Sequence, residues 1–169
     1  MAQTGAALFG AAIVLSSSPE TANAAKYGSF GAGSPEVLSP TDAIVDDEIL
    51  NSDAVQKSLQ DVKKFLGGVR QMQGALDQNS QTDIGPFLRK EYDFVKLREA
   101  LNVVNSAFDE DTQRGTDRLI RNIMQDITEL ETANRQKEGV PRSDRRLDIM
   151  KGKLAKLEKA FEEYLAFSA

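Results

Sequence analysis

Residues Ser143–Phe167 read SDRRLDIMKGKLAKLEKAFEEYLAF. Leu147, Met150, Leu154, Leu157, Phe161 and Tyr164 follow one another at steps of three and four, with Leu165 and Phe167 beyond them. That period brings apolar side chains onto one stripe of an α-helix and leaves Lys and Glu on the opposite face. A strand of this length would instead alternate in twos. Ser143 is placed to open the helix, and the preceding Gly139-Val140-Pro141 is read as the stop of another, because Gly tolerates the left-handed conformation and Pro cannot continue a helix.

The same pattern extends backward. A helix over 112–138 buries Leu119, Ile120, Ile123, Ile127 and Leu130, with Met124 at its edge. A helix over 83–108 carries Phe87, Phe94, Leu97, Leu101, Val104 and Phe108, widened by Leu88, Tyr92 and Val95, with Thr82 as cap and Pro86 in its first turn. A helix over 53–78 carries Val55, Leu59, Val62, Leu66, Val69 and Leu76, with Met72 or Gln73 filling the remaining turn. There Asp53 and Gln56 resemble a capping box. Gly67-Gly68 inside this helix costs roughly 1 kcal/mol per glycine against Ala, which a close neighbouring helix or a kink would explain. Four such helices joined by short turns predict an all-α fold, an antiparallel up-down-up-down four-helix bundle over 53–169 with an extended N-terminal arm.

The chain has neither Cys nor His. Disulfides, thiolate nucleophiles, zinc sites, His-based triads and haem ligation by His are thereby excluded. Asp109-Glu110-Asp111 lack the spaced ligands and central Gly of a calcium loop and read as helix-terminus residues. Gly28, Gly31 and Gly33 do not form a dinucleotide fingerprint. The aromatic residues read as core packing before any pigment contact. No catalytic constellation, cofactor site or metal site emerges, so the chain is expected to be non-enzymatic. A net charge of −5 argues against general nucleic-acid binding.

Residues 5–15 form an apolar run, GAALFGAAIVL, followed by Ala22-Asn23-Ala24 with the small-x-small form of a signal-peptidase site. The run is too short for a span, which needs about 20 residues. Residues 1–24 are therefore read as an export signal, cleaved after Ala24. No basic residue precedes the run, so the signal is consistent with the tail of a longer targeting sequence. The competing reading is an uncleaved hydrophobic tail.

Residues 25–52 form an arm punctuated by Gly and Pro, with Tyr27, Phe30, Val37, Leu38 and Ile44 spaced along it. A plain linker carries fewer hydrophobes. The arm either lies along its own bundle or orders on a partner. A second candidate surface is basic. Residues 134–159 hold nine basic side chains against four acidic ones. Arg142, Arg145, Arg146 and Lys153 are the expected docking cations, either for an acidic partner or for anionic lipid, unless the cluster is only solvated surface.

The export-type leader ending Ala22-Asn23-Ala24, the arm YGSFGAGSPEVLSPTDAIVDDEIL and four amphipathic helices without Cys or His resemble the extrinsic lumenal subunits of photosystem II. The nearest types are PsbQ-like subunits and the four-helix extrinsic subunit of diatoms and other red-lineage algae. DVKKFLGGVRQMQGAL and KLAKLEKAFEEYLAF are stretches of the kind found in that group. The resemblance covers about residues 25–169 and implies a peripheral subunit in the chloroplast thylakoid lumen. Its partners would be the photosystem II core and other extrinsic subunits. Its role would be to stabilise the oxygen-evolving complex and help retain calcium and chloride, with no small-molecule substrate. The alternative is a helical adaptor or membrane-surface protein of another complex.

Overall fold

The computed structural model describes residues 36–169, and these are all-helical, with six helices of which four are long. A 3-10 turn, Pro40–Asp42, precedes α1 (Asp47–Leu50) and α2 (Asp53–Gln78). Then come α3 (Gly85–Glu91), α4 (Phe94–Asn105), α5 (Glu110–Asn134) and α6 (Asp144–Ala166). The expected signal residues, with Ala22-Asn23-Ala24, and the arm residues Tyr27 and Phe30 lie outside the described part.

The apolar stripes meet as their spacing predicts. Val62, Val69, Leu97, Leu101, Ile123, Ile127, Leu154, Leu157 and Phe161 are essentially without solvent contact and form one core. α2 packs against α4 and α6, and α5 packs against α6 and α4. Side-chain links show the direction of two of these pairs. Arg70 meets Glu158 and Glu162, each at 2.7 Å, and Asp77 meets Lys151 at 2.5 Å, so α2 and α6 run oppositely. Lys153 meets Glu129 at 2.6 Å and Lys156 meets Asp126 at 2.7 Å, so α5 and α6 do as well.

The expected helix over 83–108 is two helices. Tyr92 leaves helical geometry (φ −106°, ψ 69°), and the Asp93 carboxylate accepts from the backbone N–H groups of Val95 at 2.9 Å and Lys96 at 3.3 Å, capping α4. The break turns the Tyr92 ring inward, 5.4 Å from Phe65 between centroids, and its hydroxyl donates to the Phe65 carbonyl. It also turns Val95 out of the core, where 74 % of it is exposed, and leaves Phe94 at the surface.

Other boundaries move for local reasons. Ser52, not Asp53, is the N-cap of α2, and the Gln56 amide reaches back to the Leu50 carbonyl at 2.9 Å. Thr82 does not cap a helix; its hydroxyl donates to the Ala75 carbonyl near the end of α2. α4 ends at Asn105, and α5 starts at Glu110 because Asp109 accepts from the N–H groups of Thr112 and Asp111. α5 stops at Asn134, before the expected Lys137-Glu138, and Gly139 takes its positive φ of 75° inside the following loop.

Candidate interaction surfaces

Residues 36–50 of the arm are held on their own helices. Val37 N–H donates to the Asp111 carbonyl at 3.1 Å, and Ile44 N–H donates to the Thr112 hydroxyl at 3.2 Å. Val45 forms an isolated antiparallel bridge with Phe108, in which Asp109 N–H donates to the Ile44 carbonyl and Asp46 N–H to the Ala107 carbonyl. Val37, Ala43, Val45 and Leu50 pack partly buried against the core. Satisfied backbone groups and shared apolar surface both fix the segment, so it is not a tether. Of the two readings open for the arm, attachment to its own helices holds for this part.

The same attachment turns alternate side chains outward. Leu38 is 62 % exposed and Ile44 64 % exposed, while Val37 faces inward. Ile49 adds a third exposed aliphatic residue on α1.

The basic candidates divide by environment. Arg142 is buried, and its guanidinium donates to the Ser80 carbonyl at 2.5 Å, the Thr82 carbonyl at 3.0 Å and the Asn134 side-chain oxygen at 3.2 Å. Its place among the docking cations is thus corrected: it ties the α2–α3 loop to the end of α5. Burial lowers its pKa, partly offset by the Asp83 carboxylate. Arg146 is half-buried and donates from Nε to the Ala133 carbonyl at 2.8 Å. Lys153 is committed to Glu129, whose pKa is held below the ordinary carboxylate value by that hydrogen bond. Lys151, Lys156 and Lys159 pair with Asp77, Asp126 and Glu163. The nine positive charges therefore do not form one open face.

Arg145 remains exposed and, among the described residues, makes no ion pair; Arg135 and Lys137 nearby do the same. Ile149, 44 % exposed, lies one turn from Arg145 on the same face of α6, and Val140 is 51 % exposed in the loop before it. Sequence reasoning missed Ile149 and Val140. The available signal was that Ile149 sits between the stripe residues Leu147 and Met150 and so cannot share their face.

The acidic triplet is used locally. Asp109 caps α5, its pKa lowered first by the Thr112 hydroxyl, while Glu110 and Asp111 both pair with Arg114. Among the described residues no helix is long and apolar enough to cross a membrane. No family model, curated protein or solved structure matches the chain.

Proposed function

We propose that the chain is a non-catalytic extrinsic subunit of photosystem II, peripheral to the lumenal face of the thylakoid membrane, that stabilises the oxygen-evolving complex and its retention of calcium and chloride. In this reading the long helices form an antiparallel up-down-up-down bundle, and the arm is a fitted part of its surface. The carrying observation is the arm itself. Residues 36–46 are fixed by backbone hydrogen bonds yet present Leu38 and Ile44 to solvent. Fixed exposed aliphatic groups lower the ordering cost of binding and gain from being covered. Together with the sequence resemblance, they favour docking onto a larger assembly.

The second contact is the Arg145–Ile149 face. It lies by the start of α6, whereas the arm lies by the start of α5. A 25-residue helix such as α5 is about 37 Å long, so the two contacts require an extended footprint. Rebinding to salt-washed photosystem II tests the proposal. Leu38→Ser with Ile44→Ser should weaken rebinding at all salt concentrations. Arg145→Glu should weaken it most at low salt, where screening is least. Equal rebinding by both variants and the parent chain, or no rebinding by the parent chain, overturns the assignment.

A further inference from the structure

A cleft of about 500 Å³ opens between α2 and the α3–α4 junction. Small-molecule sites typically occupy roughly 300–1,000 Å³ and combine apolar walls with a few polar groups. Here Phe65, Phe87 and Tyr92 line the cleft, and Gly67 and Gly68 contribute backbone from α2. The rings of Phe65 and Phe87 are tilted against that of Tyr92 at centroid distances of 5.4 and 6.5 Å, so the aromatic lining is assembled before any ligand arrives.

The two glycines differ in what the fold asks of them. A Cβ on Gly68 would meet the Tyr92 hydroxyl at 3.1 Å and the Phe87 ring at 3.2 Å, so packing accounts for that glycine. A Cβ on Gly67 would meet nothing within 4 Å. Its φ is not positive either, since among the described glycines only Gly139 has a positive φ. Glycine inside a helix weakens it relative to alanine, and neither packing nor backbone geometry explains Gly67. What its missing side chain does is enlarge the cleft.

Charge narrows the class of ligand. Among the described residues, Lys64 and Lys96 line the cleft with one carboxylate, Asp61, in a chain whose net charge is −5. Lys64 pairs with Asp61 at 2.7 Å and Lys96 with Asp93 at 3.7 Å, but both lysine side chains are at least three-quarters exposed. Such solvated pairs contribute little and exchange readily for another anion.

We propose that this cleft binds an amphipathic aromatic anion, its ring among Phe65, Phe87 and Tyr92 over Gly67 and its single carboxylate or sulfonate at Lys64 and Lys96. The site is separate from both docking contacts. The test uses the full chain, with 1-anilinonaphthalene-8-sulfonate as probe and its uncharged counterpart N-phenyl-1-naphthylamine as comparison, followed by fluorescence and calorimetry. The sulfonate should bind saturably at one equivalent. Gly67→Leu should weaken it by about tenfold or more, as expected when a side chain fills the space a ring occupies. The melting midpoint should not fall. Gly152→Leu, at an exposed helical glycine with equally open surroundings, should leave affinity unchanged while the midpoint holds or rises with helix propensity. Lys64→Gln with Lys96→Gln should weaken the sulfonate and leave the uncharged probe unaffected. Non-saturable binding, or undiminished binding by Gly67→Leu, overturns the site. Equal loss of both probes in the lysine variant overturns the anion and points to an apolar partner side chain as occupant.

Discussion

The carbonyl oxygen of Val37 lies directly over Gly115, so close that a Cβ on that residue would stand 1.8 Å from it. Gly115 is buried in α5, and its missing side chain is the seat in which the arm rests. The nearest obstruction is backbone, which cannot rotate away. Gly115→Ala should therefore displace residues 36–46 while raising the intrinsic helix propensity of α5. The net expected change is a loss of about 1–3 kcal/mol, as for an overfilled site. Hydrogen exchange should quicken at the Val37, Ile44 and Asp46 amides, with the helices between 53 and 166 still protected. Unchanged exchange at those amides would sink this account of the arm.

Arg142 and Arg145 are three positions apart and should behave oppositely. Arg142→Ala strips a donor from the Ser80 and Thr82 carbonyls and from Asn134, in a largely buried site. Leaving such groups unsatisfied costs about 1–3 kcal/mol, more where a charged donor is lost. Arg145→Ala removes an exposed side chain and should stay within about 0.5 kcal/mol of the parent. Urea denaturation of both variants checks the contrast. It also bears on docking experiments, because a charge reversal at Arg142 would report on folding and one at Arg145 on binding.

The sequence is a good guide to the stripes of α2, α5 and α6, since burial of side chains at steps of three and four is a local property of each helix. It fails at Tyr92-Asp93 for a physical reason. Phe87, Phe94, Leu97 and Leu101 keep the helical period across the junction, and a short interruption in φ and ψ leaves no trace in periodicity. The local sign of the break was Asp93, a strong N-cap residue standing before Val95 and Lys96. Arg142 was illegible for the opposite reason. Its carbonyl partners lie 62 and 60 residues away, so a count of charges along the chain registers its sign but not its burial.

Acid should loosen the contact between the α2–α3 loop and the end of α5. Asp83 has its pKa lowered first by the Asn134 amide, which donates to it at 2.6 Å, and then by the Gly85 N–H. Arg89 and Arg142 add attraction. A carboxyl depressed in the folded state stabilises above its unfolded value of about 3.9, and that stabilisation is lost as pH falls through the folded value. The melting midpoint should be flat near neutrality and drop below about pH 4. Asp83→Asn should show a lower plateau and a shallower acid slope. The slope should not vanish, because Asp109, Glu129 and Glu158 are depressed in the same direction. A parent and variant with parallel pH profiles would remove Asp83 from the network.

Asp126 makes the sharpest energetic test. It projects from α5 with only 1 % of its surface exposed, and Lys156 of α6 holds one carboxylate oxygen at 2.7 Å. The other oxygen has no hydrogen-bond partner. The lysine side chain is 65 % exposed, so water competes at its end of the pair. The pair's own worth is therefore small, while the cost of breaking it falls on the buried carboxylate. Lys156→Met should cost about 1–3 kcal/mol, the desolvation penalty of a group left without its partner. Asp126→Leu combined with Lys156→Met removes that penalty and adds apolar contact between α5 and α6, so the double variant should equal or exceed the parent in stability. A double-mutant cycle by urea unfolding separates the coupling from the two single effects. If Lys156→Met is neutral within about 0.5 kcal/mol, the carboxylate is adequately solvated and the α5–α6 seam does not depend on this pair.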